Sequence, residues 1–173
     1  IPGCEVTSGS LGHGLPIATG IALGLKLRAT SNQKVVCIVG DGEMNEGTMW
    51  ESLLFAAHSQ LNNLVVIVDA NGFQAMGKTN SVMNLEPLKA KFESFGFTTL
   101  ECDGHDIEEL EKSLSFLTGE SQPQAPKALI ARTVKGKGVS FMEGDNTWHY
   151  LRLDSETKKK ALSELESARC ADA

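Results

Sequence analysis

The sequence has no basic stripe. Its 16 lysines and arginines are outnumbered by 22 aspartates and glutamates, for a net charge of −6, which argues against nucleic acid as a partner. No apolar run reaches membrane-spanning length. The opening Ile1-Pro2-Gly3-Cys4 lacks the basic region and apolar stretch of a signal peptide. It also lacks an initiator methionine, which points to further sequence upstream. The four cysteines, Cys4, Cys37, Cys102 and Cys170, are scattered and show no metal-ligating spacing. Cys37 and Cys102 sit in apolar strands and read as core residues. This cysteine usage suggests a reducing, cytoplasmic setting. Glycines 9, 12 and 14 follow the order Gly-x-x-Gly-x-Gly, which is not the dinucleotide fingerprint, so no nicotinamide cofactor is expected.

What is present suffices for one folded domain. The chain has 173 residues, 41% of them apolar and 22% charged. Residues 15–27 form a mostly apolar helix with Pro16 in its first turn. Gly20 and Gly24, four apart, would let another element approach that helix closely. Ser31-Asn32-Gln33 is a polar turn before the short buried strand 35–39. A helix is expected from about Asn45 to Leu61, with Met49, Leu53, Ala56 and Ala57 on its core stripe. A second apolar strand spans 64–68. Helix 85–94 has Pro87 in its first turn, and strand 97–102 follows. Asp106 caps helix 107–117, the polar loop 118–126 comes next, and strand 127–133 is the fourth. A final amphipathic helix covers about 155–168. Strand and helix thus alternate four times, which predicts an α/β chain folded as a three-layer αβα sandwich with a mostly parallel sheet.

The chemistry concentrates in Gly40-Asp41-Gly42-Glu43-Met44-Asn45-Glu46-Gly47 and Asp69-Ala70-Asn71-Gly72-Phe73. Asp41 and Asn71 are 30 positions apart, the length of one strand–helix–strand unit. Both should therefore emerge at the same carboxyl edge of a parallel sheet. There the Asp41 carboxylate, the Asn71 amide oxygen and a backbone carbonyl could hold a hard cation such as Mg2+, with phosphate oxygens completing the shell. Glycines 40 and 42 would let the backbone approach those phosphates. The alternative is an ordinary βαβ unit with a glycine turn and a capping aspartate.

A Gly-Asp-Gly followed after thirty residues by Asn resembles the cofactor signature of thiamine-diphosphate enzymes. The fuller string through Thr48-Met49-Trp50-Glu51, with Phe55-Ala56-Ala57-His58 after it, is similar to the transketolase family. The resemblance covers almost the whole chain. It implies a single diphosphate-binding (N-terminal) module over 1–173, without its upstream segment and without the pyrimidine-binding module. The string Gly138-Val139-Ser140-Phe141-Met142-Glu143 with Trp148-His149-Tyr150 resembles the split, two-polypeptide relatives.

The resemblance assigns roles residue by residue. Thiamine diphosphate and Mg2+ are the expected cofactors, with Asp41, Asn71 and the Phe73 carbonyl on the metal. The Gly9 carbonyl would accept a hydrogen bond from the aminopyrimidine, and Leu11 would cover the thiazolium. Gly40, Gly42 and Glu43 join the cofactor-binding set, as does Ala75, whose position lies against the thiazolium. His13 reads equally as a loop histidine bonded to backbone and as a cofactor contact. Glu46 is either a partner of the helix dipole or a residue reaching across a subunit interface toward the glutamate that activates the cofactor. His149 would work near the diphosphate and substrate, electrostatically or by proton transfer; the alternative is a surface histidine beside a packed Trp148. His58 and His105 read as structural. Ala75 and Met76 depart from the family's usual larger apolar and acidic residues, which leaves the substrate open.

The implied activity is transfer of a two-carbon ketol unit from a ketose or its phosphate to an aldose. It requires a pyrimidine-binding half as partner, in a dimer or heterotetramer. Two other readings remain: half of a 2-oxo acid decarboxylating or deoxyxylulose phosphate synthase-like enzyme, and a non-catalytic subunit that keeps the fold.

Overall fold

A computed structural model describes residues 3–28, 33–119 and 124–171. Ser31 and Asn32 of the expected polar turn, residues 120–123 of the expected loop and the side chain of Cys170 lie outside the described residues.

Helix α1 (Gly14–Leu27) leads into strand β1 (Val35–Gly40). A single 3-10 turn (Glu43–Asn45) precedes α2 (Gly47–His58) and β2 (Leu64–Ala70). A hairpin of two-residue strands follows, β3 (Phe73–Gln74) and β4 (Gly77–Lys78), then the one-turn α3 (Thr79–Val82) and α4 (Leu88–Ser94). The chain continues through β5 (Thr98–Asp103), α5 (Ile107–Thr118) and β6 (Lys127–Arg132). After a second 3-10 turn (Asn146–His149) it closes with α6 (Ser155–Ala171). The expected alternation of strand and helix is present.

The main sheet is four-stranded and parallel, in the order β1-β2-β6-β5. Register sets Gly40 beside Asp69, and Asp69 beside Ala131, along its carboxyl edge. The path runs from β1 to β2, jumps to β5 at the far side and returns to β6. The direction of winding therefore reverses at β5, which puts α2 and α4 on one face and α5 on the other, and the carboxyl ends of the strands are where an open α/β sheet receives ligands.

Alternating side chains divide the sheet into two faces. Cys37, Val39, Val66, Val68, Ala128 and Ile130 are buried in one cluster with Leu15 and Ala18 of α1, Met49, Leu53 and Ala56 of α2, and Leu88 and Phe92 of α4. Phe92 meets Trp50 at 6.5 Å between ring centroids and Phe97 edge-on at 5.6 Å. The other face carries α5, whose Leu110, Leu114 and Leu117 pack with Leu129, Cys102 and Leu100. That second layer is incomplete: on β1, Val36 is 50% and Ile38 72% exposed. The three expected layers exist; among the described residues the third lies over β6 and β5, with Ile67 of β2 at its edge. Burial pushes the Cys37 thiol up to about 11, with the charge of Glu43 adding to it, as befits an inert core residue.

Three local expectations change. The helix after the Gly-Asp-Gly turn begins at Gly47, because Glu46 is extended (φ −74°, ψ 131°) and separates the 3-10 turn from α2. Pro87 lies outside α4, with ψ 120°, as its cap. Gly20 and Gly24 make no close approach: a Cβ at either would meet nothing within 4 Å, since α1 buries Leu15, Ala18, Thr19 and Ala22 instead. Among the described residues no helix is long and apolar enough to cross a membrane.

Candidate functional site

Asp41 leaves the end of β1 with its amide donating to the Asp69 carbonyl at 3.1 Å. Its side chain is only 4% exposed. Oδ1 accepts from the Gly42 amide at 2.8 Å. Oδ2 accepts from the Gly72 amide at 2.8 Å and from the Thr79 hydroxyl at 3.1 Å. Burial holds the Asp41 carboxyl above the usual aspartate range and the charge of Asp69 adds to this, while the Gly72, Thr79 and Gly42 donors pull the other way. A carboxylate kept from water and incompletely compensated favours a cation beside it.

Asn71 follows β2, and its amide is oriented by Asp69. Nδ2 donates to Asp69 Oδ2 at 3.1 Å, and the Thr133 hydroxyl donates to Oδ1 of the same carboxylate. The Asn71 oxygen, on the other side, accepts from the Phe73 amide at 2.9 Å and keeps one lone pair. Gly42 lies directly on the 73–74 backbone: a Cβ there would come within 2.5 Å of Gln74 Cβ and 3.6 Å of the Phe73 carbonyl oxygen. Asp41, Asn71 and the Phe73 carbonyl are thus brought together across one turn. Among the described residues no three His, Cys, Asp or Glu side chains gather as a metal site. A cation here would draw on carboxylate, amide and carbonyl oxygens, a hard donor set with room for ligand oxygens, which suits Mg2+. Nearby, Gln74 Nε2 and both amide atoms of Asn45 are buried without a hydrogen-bond partner. Buried donors in that state favour an anion. The donor set and these orphaned amides therefore fit a cation and a diphosphate together.

The loop with Gly9, Leu11 and His13 docks onto this turn through Gly12. The Gly12 amide donates to Glu43 Oε1 at 2.9 Å, and the Thr48 hydroxyl donates to the Gly12 carbonyl at 2.7 Å. Gly9 is exposed and Leu11 is 55% exposed. His13 Nδ1 lies 3.0 Å from the Leu11 carbonyl, a bond to backbone. Glu46 is exposed at the entry to α2 and makes no side-chain cap. Glu43, expected among the cofactor-binding residues, has its carboxylate on Gly12.

The Trp-His segment also comes to this edge. Asn146 Nδ2 and the Tyr150 hydroxyl both donate to the Ala75 carbonyl, each at 3.3 Å. The turn holding His149 is thereby tied to the hairpin after Asn71. Trp148 is packed edge-on against Phe141, its Nε1 donating to the Phe141 carbonyl at 2.8 Å. His149 is exposed, its ring 4.9 Å from that of Tyr150. His105 is structural: the Val134 amide donates to its Nε2 at 2.7 Å. His58 is exposed at the end of α2.

Sequence reasoning missed Thr79, Thr133, Asn45, Gln74 and Arg132. No local pattern marks them: Thr79, Thr133 and Arg132 act through partners far away in the chain, and Asn45 and Gln74 stand out only by being buried without one. Arg132 and Glu86 line, with Asp41, Thr79, Asn80 and Asn84, a cavity of about 300 Å³ beside the site.

Residues 1–166 match the family described as transketolase, thiamine diphosphate binding domain. An apulose-4-phosphate transketolase subunit of Actinobacillus succinogenes is 39% identical over 165 residues, covering 95% of this chain and 58% of that protein. The 6-deoxy-6-sulfo-D-fructose transketolase subunit SqwG of Clostridium sp. is 36% identical over 164 residues, with the same shares of 95% and 58%. Transketolase from Campylobacter jejuni superposes with a TM-score of 0.86 at 32% identity, over 95% of this chain and 26% of that one. The chain therefore spans 58% of the length of these two curated relatives.

Proposed function

Because the chain belongs to the transketolase family by its thiamine diphosphate-binding domain, we propose that it is the diphosphate- and cation-binding half of a two-polypeptide ketol transferase. The activity is movement of a two-carbon unit from a ketose or ketose phosphate to an aldose. The observation that carries this reading is the joining of Asp41, Asn71 and the Phe73 carbonyl across one turn, with Gly72 donating to Asp41 at 2.8 Å.

In this reading Asp41, Asn71 and the Phe73 carbonyl hold Mg2+, which anchors the diphosphate. Gly40 and Gly42 let the diphosphate come close to the backbone, and the unpartnered donors Gln74 Nε2 and Asn45 Nδ2 would serve its oxygens. Thiamine diphosphate, when bound, supplies the nucleophilic carbon and the electron sink. The Gly9 carbonyl accepts from its aminopyrimidine and Leu11 covers one ring face. Ala75 leaves space where a larger side chain would press on the ring. His149, exposed and steadied by Tyr150, is free to contact a substrate hydroxyl or move a proton there.

A partner completes the site. The relatives' names as subunits support a second polypeptide. So does the surface: Leu11, Met76, Tyr150 and Leu151 are 55%, 80%, 69% and 57% exposed around the site's mouth. Isolated apolar side chains are ordinary on a surface, but several around one site favour a covering surface. Glu46, exposed at the start of α2, would reach toward that partner's activating glutamate.

Calorimetric titration of thiamine diphosphate with Mg2+, and again with a chelator, tests the anchor, with the pyrimidine-binding half present. Binding should require the cation and vanish in Asp41→Ala. Turnover of the assembled pair that survives Asp41→Ala would overturn the assignment. Turnover with pyruvate but not with ketose phosphates would replace ketol transfer by decarboxylation.

A further inference from the structure

We propose that Glu43 and Thr48 are positioning residues that clamp Gly12, and so present Leu11 to a ligand ring independently of the cation site at Asp41. The inference rests on the reading of this edge as a thiamine diphosphate site.

The loop 5–13 is polar and glycine-rich, with little of its own to fix it. Its internal hydrogen bonds are short-range: Ser10 N to Ser8 Oγ at 3.0 Å, His13 N to the Ser10 carbonyl at 3.3 Å, and His13 Nδ1 with Leu11. Among the described residues, its hydrogen bonds to elements other than the following helix are the two at Gly12. One side of that peptide unit is held by a carboxylate accepting from the amide, a charge-assisted bond. The other is held by a hydroxyl donating to the carbonyl. Gly12 is buried between them with φ +78°, and a Cβ on it would lie 2.5 Å from Thr48 Oγ1 and 2.9 Å from Glu46 Cβ. Only glycine fits the clamp, both by conformation and by space.

The consequence falls on the neighbouring residue. Leu11 adjoins a peptide held at both ends, yet 55% of it faces solvent. An apolar side chain fixed in that way is pre-organised for a flat apolar face, so the ordering cost of binding is met in advance. The clamp and the cation site share one short stretch. Asp41 and Glu43 are two residues apart, linked by the Met44 amide donating to the Asp41 carbonyl at 3.2 Å. Their side chains point to separate tasks: Asp41 toward Gly72 and Thr79, Glu43 toward Gly12.

Two ligands separate these tasks. Thiamine diphosphate carries the rings; inorganic pyrophosphate carries only the anchor. Both are titrated with Mg2+ into the full chain assembled with its pyrimidine-binding half, as wild type, Glu43→Ala, Glu43→Gln, Thr48→Val and Asp41→Asn. Glu43→Ala and Thr48→Val should each weaken thiamine diphosphate by about tenfold or more and leave pyrophosphate unchanged. Glu43→Gln keeps an acceptor for the Gly12 amide and should restore most of the affinity. Asp41→Asn should weaken both ligands. Equal weakening of the two ligands by Glu43→Ala and Thr48→Val, or no weakening of either, overturns the clamp. No effect of Asp41→Asn on either ligand overturns the underlying site instead. Should Glu43→Ala fail to fold, Thr48→Val and Glu43→Gln carry the comparison.

Discussion

Arg132 and Glu86, 46 positions apart, meet at the carboxyl edge of the sheet. Both arms of the guanidinium donate to the Glu86 carboxylate, and Nη2 also reaches Glu101 at 3.1 Å. The segment that leaves the site through Thr79 is thereby fastened to the end of β6. The Arg132 guanidinium holds the Glu86 carboxyl below its ordinary range, more than partial burial raises it. The stability this gives is full above the ordinary glutamate range and is lost as pH falls through the depressed folded value. The pair is partly exposed, so Glu86→Gln should cost only about 0.5–1 kcal/mol at neutral pH. Urea unfolding at pH 7 and at roughly pH 3 checks the sign: the two proteins should separate at the first and converge at the second.

Asp41→Asn isolates charge from shape. The amide keeps one acceptor oxygen but turns its NH2 group on the Gly42 donor or on those of Gly72 and Thr79, so it should lower the melting temperature of the metal-free chain, though less than Asp41→Ala. Mg2+-dependent binding of thiamine diphosphate should fall about a hundredfold or more, since a neutral amide is a much weaker ligand for a hard cation. Asp41→Ala should also unfold more easily, because the Gly42, Gly72 and Thr79 donors lose their acceptor, at about 1–3 kcal/mol for a donor left buried and unpaired. Melting scans in chelator, beside calorimetry in Mg2+, separate the two variants.

Glycines 40 and 42 should respond differently to a methyl group. At Gly42 it would meet Gln74 Cβ at 2.5 Å, forcing the hairpin off the turn. Gly42→Ala should destabilise by about 1–3 kcal/mol and lose the cation site. At Gly40 a Cβ would meet nothing within 4 Å. Gly40→Ala should fold normally, and any fall in its affinity for thiamine diphosphate would then report the approach of the ligand itself. Equal melting temperatures for the two variants would refute the close packing at Gly42.

Lys127 carries a pH dependence of the same sign as that of Glu86, in a higher pH window. Its ammonium is buried at the start of β6, donating to the Asn62 carbonyl at 2.8 Å. Burial, with the charge of Lys34 second, lowers it from 10.5 to about 8. Between those values the unfolded chain binds more protons than the folded one, so stability rises with pH across that window and is lowest below it. Urea midpoints at roughly pH 7.5, 9 and 10 should climb in the wild type relative to Lys127→Met. Parallel curves would show that Lys127 keeps an ordinary affinity for its proton.

The sequence made the strands, the helices and the meeting of Asp41 with the Asn71 turn legible because those signals are local or periodic. Asp41 and Asn71 sit at the ends of apolar runs, and their spacing is one βαβ repeat. Glu43 was legible as a site residue but not in its contact with Gly12, 31 positions earlier. Thr79 on Asp41, and Thr133 on Asp69, were illegible for the same reason: a hydroxyl in a polar stretch carries no mark of its partner. The β3–β4 hairpin has two residues per strand, too few for an alternation to show. The exposure of Val36 and Ile38 was not legible, since helix counting does not show which strands α5 covers.

Strand order has a temporal consequence. Among the described residues β6 is the last strand of the main sheet in chain order, yet it lies inside that sheet, between β2 and β5. When a growing chain has delivered β1, β2 and β5, the third of these has no hydrogen-bonding neighbour in the main sheet. Closure waits for residues 127–132, which must insert between two strands already made, with Val65 finding Lys127 across 62 positions. Non-local pairing of this kind is slow, because loop entropy is lost before contacts repay it. Thr133 reaches Asp69 only in that step, so the carboxylate that aims Asn71 receives its own support last. A nascent chain should therefore fold its scaffold by late insertion and gain its cofactor grip at the end, which makes cofactor binding a reporter of completed folding.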